Sequence, residues 1–176
     1  DPWSDTVRGT CFAMQIDTKS APICTAKQVT ICVYLGSSHG ADVRFTAAAR
    51  SLGRAIGARG WHLIYGGGQI GLMGEVAAAT MQAGGHVTGV ITKHLFDGEV
   101  ANTTIDELIV TDDMPERKKA MFDRADAFVA LPGGIGTLEE LFEIWTWTQL
   151  GAQQKPLGVL DVDGFYRPLV AFLDHL

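Results

Sequence analysis

Six short apolar runs alternate with longer stretches that suit helices, and this alternation constrains the fold more than any other feature of the chain. The runs predict strands at 29–35, 63–65, 86–91, 108–110, 127–131 and 157–160. The remaining stretches predict helices at about 41–56, 72–83, 114–124, 137–150 and 165–176. Short strands separated by helices of about a dozen residues indicate right-handed βαβ units around a parallel sheet.

We therefore expect an α/β fold, a Rossmann-like parallel sheet with helices on both faces, in a single domain over residues 29–176. The length of 176 residues fits one domain with a sizeable core. Residues 1–28 have no sustained period, which predicts a poorly ordered extension or tag. The last predicted helix has not ended at Leu176, so we expect the domain to continue further.

The charge balance narrows the choice of partners. The net charge of −6 argues against nucleic acid, although a small phosphorylated substrate is compatible with it. No stretch approaches the roughly 18 apolar residues of a membrane span, and no signal peptide is evident, so we expect no membrane partner. Cys11, Cys24 and Cys32 form no CxxC pair. Reduced thiols and a cytoplasmic location are the simplest expectation, with a Cys11–Cys24 bridge left open.

Glycine-rich loops follow two of the predicted strands, at the sheet edge where parallel α/β folds bind ligands. The segment GGGQIG at 66–71 matches the dinucleotide fingerprint only formally, because it follows the second strand. After the next strand, Thr92 and Lys93 stand where an acidic residue should bind a ribose. A nicotinamide cofactor is thus disfavoured. The loop either presents amides to an anion or lets strand and helix pack closely.

The segment PGGIGT at 132–137 is more informative. It connects an apolar strand to a helix, and its three glycines allow several backbone N–H groups to converge on a phosphate. The loop contains no lysine, so a Walker-type triphosphate site does not fit and a monophosphate is preferred. Thr137 and Glu140 have the spacing of a capping box. Glu140 is therefore either a helix cap or a catalytic carboxylate.

Three adjacent cations, Arg117 to Lys119, follow Met114 at the start of a predicted helix. In the first turn they would oppose the helix dipole at a cost of about 0.3–1 kcal/mol per charge. A solvated charged face would explain part of this row. The unfavourable placement nevertheless favours substrate binding by Arg117 and Lys118, since a guanidinium can contact two oxygens at once.

The three motifs, YGGG…GLMG from 65, MPERK from 114 and PGGIGTLEE from 132, resemble in order and spacing those of the Lonely Guy (LOG) family. The resemblance extends from about residue 29 to the end. It implies hydrolysis of the N-glycosidic bond of N6-modified AMP, without a metal or cofactor, by a protein that is at least dimeric. Members are often mislabelled as lysine decarboxylases. That reaction would need pyridoxal phosphate on a lysine, and no lysine here has such a setting.

The resemblance places the catalytic pair at Arg117 and Glu140. We predict that Glu140 supports a cationic sugar or activates water, and that Arg117 binds the ribose or phosphate or assists departure of the base. The predicted substrate contacts are Ser37, Gly67, Gly68, Glu99, Met114, Lys118, Gly133, Gly134, Ile135, Gly136, Thr137 and Thr146.

Two rival functions remain at this stage. One is a non-catalytic nucleotide or cofactor binder similar to molybdenum-cofactor carriers, and the other is a nucleosidase acting mainly on plain AMP. The five histidines have no metal-ligand spacing, so we predict no metal site. Trp145 and Trp147 make the helix at 137–150 apolar on more than one face, which indicates deep burial or a homodimer interface.

Overall fold

A computed structural model describes residues 28–96 and 101–175 of the chain. The described strands are β1 (Thr30–Tyr34), β2 (His62–Tyr65), β3 (His86–Thr92), β4 (Glu107–Thr111), β5 (Ala127–Ala130) and β6 (Leu157–Val159). The described helices are α1 (Val43–Gly57), α2 (Gly71–Gln82), α3 (Lys93–Phe96), α4 (Met114–Arg124), α5 (Ile135–Gln149) and α6 (Arg167–Leu173). The predicted extension, apart from Gln28, lies outside the described residues, as do Cys11, Cys24 and Glu99.

The six strands form one parallel sheet in the order β4-β3-β2-β1-β5-β6. From β1 the chain moves outward through β2 and β3 to β4, and it then returns to the other side of β1 for β5 and β6. The direction of winding therefore reverses between β1 and β5. Such a switch point opens a crevice at the carboxyl ends of the two strands, where α/β proteins bind ligands.

Helices cover both faces of the sheet because successive strand residues point to opposite sides. On one side, Val33 and Leu63 pack with α1 and α2 in a core that includes Ile56 and Val76. On the other side, Cys32 and Phe128 belong to a second core with residues of α4 and α5. The predicted single-domain, Rossmann-like α/β fold is confirmed.

Some element limits differ from the sequence prediction. The four-residue helix α3 was not predicted, and α6 is shorter than the predicted 165–176. Helix α5 begins at Ile135, two residues earlier than predicted, because Gly134 is already the N-cap residue with an extended backbone. Within the part of the chain that the structure describes, no helix is both long and apolar enough to cross a membrane.

The apolar faces of α5 contact different surroundings. Trp147 packs edge-on against Phe122 of α4, with 4.9 Å between the ring centroids. Trp145 stacks on Phe142 and also lines an apolar groove between α5, β6 and α6. Packing within the chain thus accounts for part of the apolar pattern that suggested a dimer interface.

Candidate active site

Arg117 is placed by the start of α4. The Asp113 carboxylate caps this helix by accepting a hydrogen bond of 2.8 Å from the Glu116 amide. Arg117, Lys118 and Lys119 follow as the fourth to sixth helical residues, beyond the first turn of about 3.6 residues. The expected conflict with the helix dipole is consequently weaker than the sequence suggested, since that effect falls off within the first turn.

The Arg117 side chain is buried, with 5% of its surface exposed, under the carboxyl ends of β2 and β3. Its Nε donates a hydrogen bond of 2.8 Å to the Val90 carbonyl oxygen, and its Nη2 donates one of 3.4 Å to that of Gly66. Its Nη1 lies 3.4 Å from Glu140 Oε1 and 3.7 Å from Met114 Sδ. These contacts hold the guanidinium in one position at the carboxyl-end edge of the sheet.

Glu140 faces Arg117 from α5 and does not cap that helix. The N-cap residue is Gly134, so Thr137 and Glu140 are the third and sixth helical residues, and no side chain caps the helix start. The capping-box interpretation was therefore wrong. The Glu140 side chain is 12% exposed, and burial raises its pKa from 4.5 to about 7. Arg117 opposes this increase, whereas the nearby Glu139 adds to it.

The loop before α5 has the features of an anion site. In the first backbone hydrogen bond of α5, the Leu138 amide donates to the carbonyl oxygen of the N-cap residue Gly134, at 3.1 Å. The amides of the three preceding residues are helix-start donors of the kind that bind phosphate. Gly134 and Ile135 are exposed, whereas Thr137 is buried against Gly133. A Cβ atom on Gly133 would lie 2.1 Å from Thr137 Oγ1, so this close packing requires glycine.

The loop after β2 is shaped by a buried network that the sequence analysis missed. The backbone amide of Asn102 donates to the Gly67 carbonyl oxygen at 2.9 Å, and its side-chain Nδ2 donates to the Tyr65 hydroxyl at 3.2 Å. The Tyr65 hydroxyl in turn donates to the Gly68 carbonyl oxygen at 3.1 Å. The loop carbonyls thereby point into the protein. Asn102 lies before β4 in the chain, far in sequence from the loop that it contacts, and no motif marked it.

The structure brings only some of the predicted contacts together. Met114 contacts Arg117, and Gly67 and Gly68 directly follow Gly66, whose carbonyl oxygen accepts from Arg117. Ser37 reaches the same edge because its carbonyl packs closely against Gly71. Lys118 donates to Glu139 and Glu143 on α5, at 2.5 and 3.0 Å.

Thr146 is exposed, on the α5 face that carries Glu139 and Glu143. Its predicted role, like that of the other substrate contacts, stays a prediction, and Glu99 lies outside the described residues.

Comparisons with known proteins show which family this chain resembles in sequence and which structures share its fold. The family model described as "Possible lysine decarboxylase" matches residues 73–176. Over 144 residues, or 82% of this chain, the sequence is 51% identical to the cytokinin riboside 5'-monophosphate phosphoribohydrolase LOG of Oryza sativa subsp. japonica. Over the same share it is 49% identical to LOG5 of Arabidopsis thaliana. The chain belongs to the LOG family. It spans 60% and 63% of the lengths of these two relatives.

Solved structures of other proteins share the fold of this chain. A molybdenum cofactor binding protein from Rippkaea orientalis has a TM-score of 0.65 at 26% identity, over 85% of this chain and 86% of that one. A molybdenum cofactor carrier protein from Chlamydomonas reinhardtii has a TM-score of 0.63 at 23% identity, over the same shares. The second likeness, at this identity, concerns the fold alone.

The surroundings of the lysines show whether the decarboxylase description of the family model fits this chain. A Schiff-base lysine needs an amine that is neutral and accessible within a cofactor pocket. Lys93 and Lys119 are exposed and paired with aspartates, and Lys118 is held by two glutamates. Lys155 donates to the Phe122 carbonyl oxygen at 2.6 Å and lies over the Phe122 ring. Among the described residues, therefore, the lysines do not fit pyridoxal phosphate.

Proposed function

We propose that this chain carries the catalytic domain of a cytokinin riboside 5'-monophosphate phosphoribohydrolase. It hydrolyses the N-glycosidic bond of N6-modified AMP and releases the free base and ribose 5-phosphate. The observation that carries this proposal is the buried contact between Arg117 and Glu140 beside the uncapped start of α5. The activity named for relatives at about 50% identity supports it.

The site provides what this reaction requires. When the bond between the sugar and the base breaks, its electrons leave with the base and the sugar becomes an oxocarbenium-like cation. Glu140 as a carboxylate stabilises that cation or removes a proton from the attacking water. Arg117 fixes the ribose or phosphate or assists departure of the base. With a pKa of about 7, Glu140 has both protonation states available near neutral pH.

The start of α5 and the loop before it are the proposed site for the 5'-phosphate, with Lys118 as a neighbouring cation. The helix amides supply donors, and the positive end of the dipole favours a phosphate dianion. Met114 and the loop after β2 lie next to Arg117 and are proposed to contact the nucleoside. Base selectivity between N6-modified and plain AMP is left to experiment.

An assay for free base separates this function from its rivals. The purified chain is incubated with AMP and with N6-isopentenyl-AMP, and we expect free base to be released from the modified nucleotide, with release from AMP measured in parallel. Glu140→Gln should still bind nucleotide but lose about 100-fold or more of the turnover. Glu75→Gln is a matched control, because Glu75 pairs with Arg50 on the opposite face of the sheet. Near wild-type turnover by Glu140→Gln would contradict the assignment.

The rival function is non-catalytic binding, which the similarity to a molybdenum cofactor binding protein favours at the level of the fold. The Arg117–Glu140 pair argues for the enzyme, because a carboxylate beside a phosphate site hinders anion binding unless it has another role. Binding of either nucleotide without any release of base would favour the rival.

A cytoplasmic homodimer is the setting proposed for this activity. The dimer rests on the family resemblance and on the partly exposed apolar side chains of α5, such as Phe142. Light scattering tests it directly, since the chain mass is 18.9 kDa and we expect twice that value. A single-chain mass would remove the dimer from the proposal without affecting the site.

A further inference from the structure

Two sets of ionic contacts cross the interface between α4 and α5 side by side. Arg117 contacts Glu140 in the interior, whereas Lys118 contacts Glu139 and Glu143 nearer the surface. The side chain of Lys118 is 19% exposed and that of Glu143 25% exposed, so water screens this pair only in part. Glu139 is 53% exposed and therefore more strongly screened.

The cluster contains three carboxyl groups and two cations, so one negative charge is uncompensated when all groups are ionised. A proton taken up by the cluster would relieve this imbalance. It would bind most readily to Glu140, because Glu140 is the least exposed of the three carboxyl groups and desolvation penalises its ionised form. The charges on Lys118 and Glu143 consequently act on the carboxyl group that faces Arg117.

We propose that Glu143, a residue with no assigned role, is a positioning residue that holds the Lys118 ammonium on α5 and, together with it, sets the charge state of Glu140. This proposal rests on the proposed function only insofar as Glu140 is the catalytic carboxylate. Glu143 itself pairs with Lys118, and we assign it no contact with the substrate.

The other groups that interact with Glu140 differ from Glu143 in charge or in exposure. Cys32 and Tyr34 of β1 interact with it electrostatically, but burial raises the pKa of both groups, so they stay neutral near pH 7. Arg117 is the direct partner of Glu140 in the interior contact. Lys118, Glu139 and Glu143 remain on α4 and α5. Glu139 contributes more than Glu143 to the raised pKa of Glu140, but its side chain is 53% exposed against 25% for Glu143, so Glu143 is the better-buried partner of Lys118.

The two members of the pair should shift the titration of Glu140 in opposite directions. Glu143→Gln removes a negative charge but keeps an oxygen that accepts from Lys118. We expect the pH midpoint of the Glu140 titration to fall by about half a pH unit, because the Glu140 carboxylate is then no longer repelled by the charge of Glu143. Lys118→Gln removes a positive charge, and the midpoint should rise. Damage to the packing would not produce shifts of opposite sign.

The measurement is a carbon NMR titration of carboxyl-labelled glutamate in the substrate-free protein, with the Glu140 signal assigned by its loss in Glu140→Gln. Lys119→Gln is the matched control. It removes the same charge one residue further along α4, from a side chain that is 73% exposed and pairs with Asp123, so no shift is expected. A Glu143→Gln midpoint that is unchanged or raised would overturn the proposal, as would equal shifts for the two lysine variants.

The pH dependence of turnover provides the second readout. The pH at which turnover changes with the ionisation of Glu140 should shift in the same direction as the midpoint of the NMR titration. The two proposals can fail separately because the NMR titration requires no turnover. If the midpoints shift as expected but no nucleotide releases base, the proposed function fails and the role of Glu143 stands. If base is released and the Glu143→Gln midpoint does not fall, the role of Glu143 fails alone.

Discussion

At Gly66, the Arg117 side chain occupies the space that a larger residue would need. A Cβ atom there would lie 2.4 Å from Arg117 Nη2 and 3.0 Å from Met73 Cε. Gly66→Ala should therefore displace the guanidinium, lower turnover by about tenfold or more, and destabilise the protein by about 1–3 kcal/mol. Nucleotide turnover and urea denaturation measure the two effects.

Gly158→Ala is the control for this change. Gly158 lies in β6 of the same sheet, and a Cβ atom there would meet only the Phe128 carbonyl oxygen at 4.0 Å. We expect turnover close to wild type. Equal loss of turnover in both variants would indicate that the effect of Gly66→Ala does not come from Arg117.

The sequence motifs singled out Arg117 and Glu140, but they did not predict the environment of these two side chains. Arg117 and Glu140 are 23 positions apart, and their contact depends on how α4 packs against α5. The capping box at Thr137 was a reasonable local interpretation. It failed because Gly134 adopts the N-cap conformation and starts α5 earlier, a choice that sequence leaves open when several glycines precede a helix. The pairing of Lys118 with Glu143 likewise depends on tertiary packing.

At the scale of elements, Asn102 joins the segment before β4 to the loop after β2. Asn102→Ala would remove the donor to the buried Tyr65 hydroxyl, which would keep only its own hydrogen bond to the Gly68 carbonyl oxygen. We expect a loss of about 1–3 kcal/mol in the free energy of unfolding and a weaker affinity for nucleotide, measured by denaturation and calorimetry. The exposed neighbour Thr103 is the control, and Thr103→Ala should change neither quantity.

An Asn102→Ala variant with unchanged stability but weaker binding would show that the network shapes the loop without contributing to the fold. Unchanged values for both would contradict the role assigned to Asn102.

The local sequence pattern predicted the limits of some strands and helices better than those of others. The strands matched to within two residues, because a buried parallel strand is a continuous apolar run that ends where the chain reaches solvent. Helix α4 matched at both limits, helped by Asp113 and Pro115 at its start. Helix α3 was missed because four residues are too few to display a helical period.

At the scale of the whole molecule, alternation predicted the fold class but not the strand order. Right-handed crossovers are compatible with several orders, and the direction of each crossover depends on which helices cover which face. Only the order of the six strands reveals that β1 and β5 are neighbours and that the winding reverses between them. That reversal positions the loop at 132–137 at the crevice, where the glycine pattern alone had indicated only a loop suited to phosphate.

The buried carboxyl group of Glu140 also makes global stability depend on pH. Its pKa rises from 4.5 in the unfolded chain to about 7 in the folded protein, so between these values the folded protein holds a proton that the unfolded chain has released. Stability from this group is thus present below about pH 4.5 and is lost as the pH rises through 7, by about 3 kcal/mol in total. His62 contributes the opposite slope, because burial lowers its pKa.

Comparison with Glu140→Gln isolates the contribution of Glu140, since His62 is present in both proteins. Urea denaturation at about pH 4.5 and pH 8 gives the free energy of unfolding for each. Between these two values, the wild type should lose about 3 kcal/mol relative to the variant, because only the wild type must bury a carboxylate at high pH. Parallel pH profiles would contradict a raised pKa for Glu140 and would mean that this carboxyl group is already ionised at neutral pH in the folded protein.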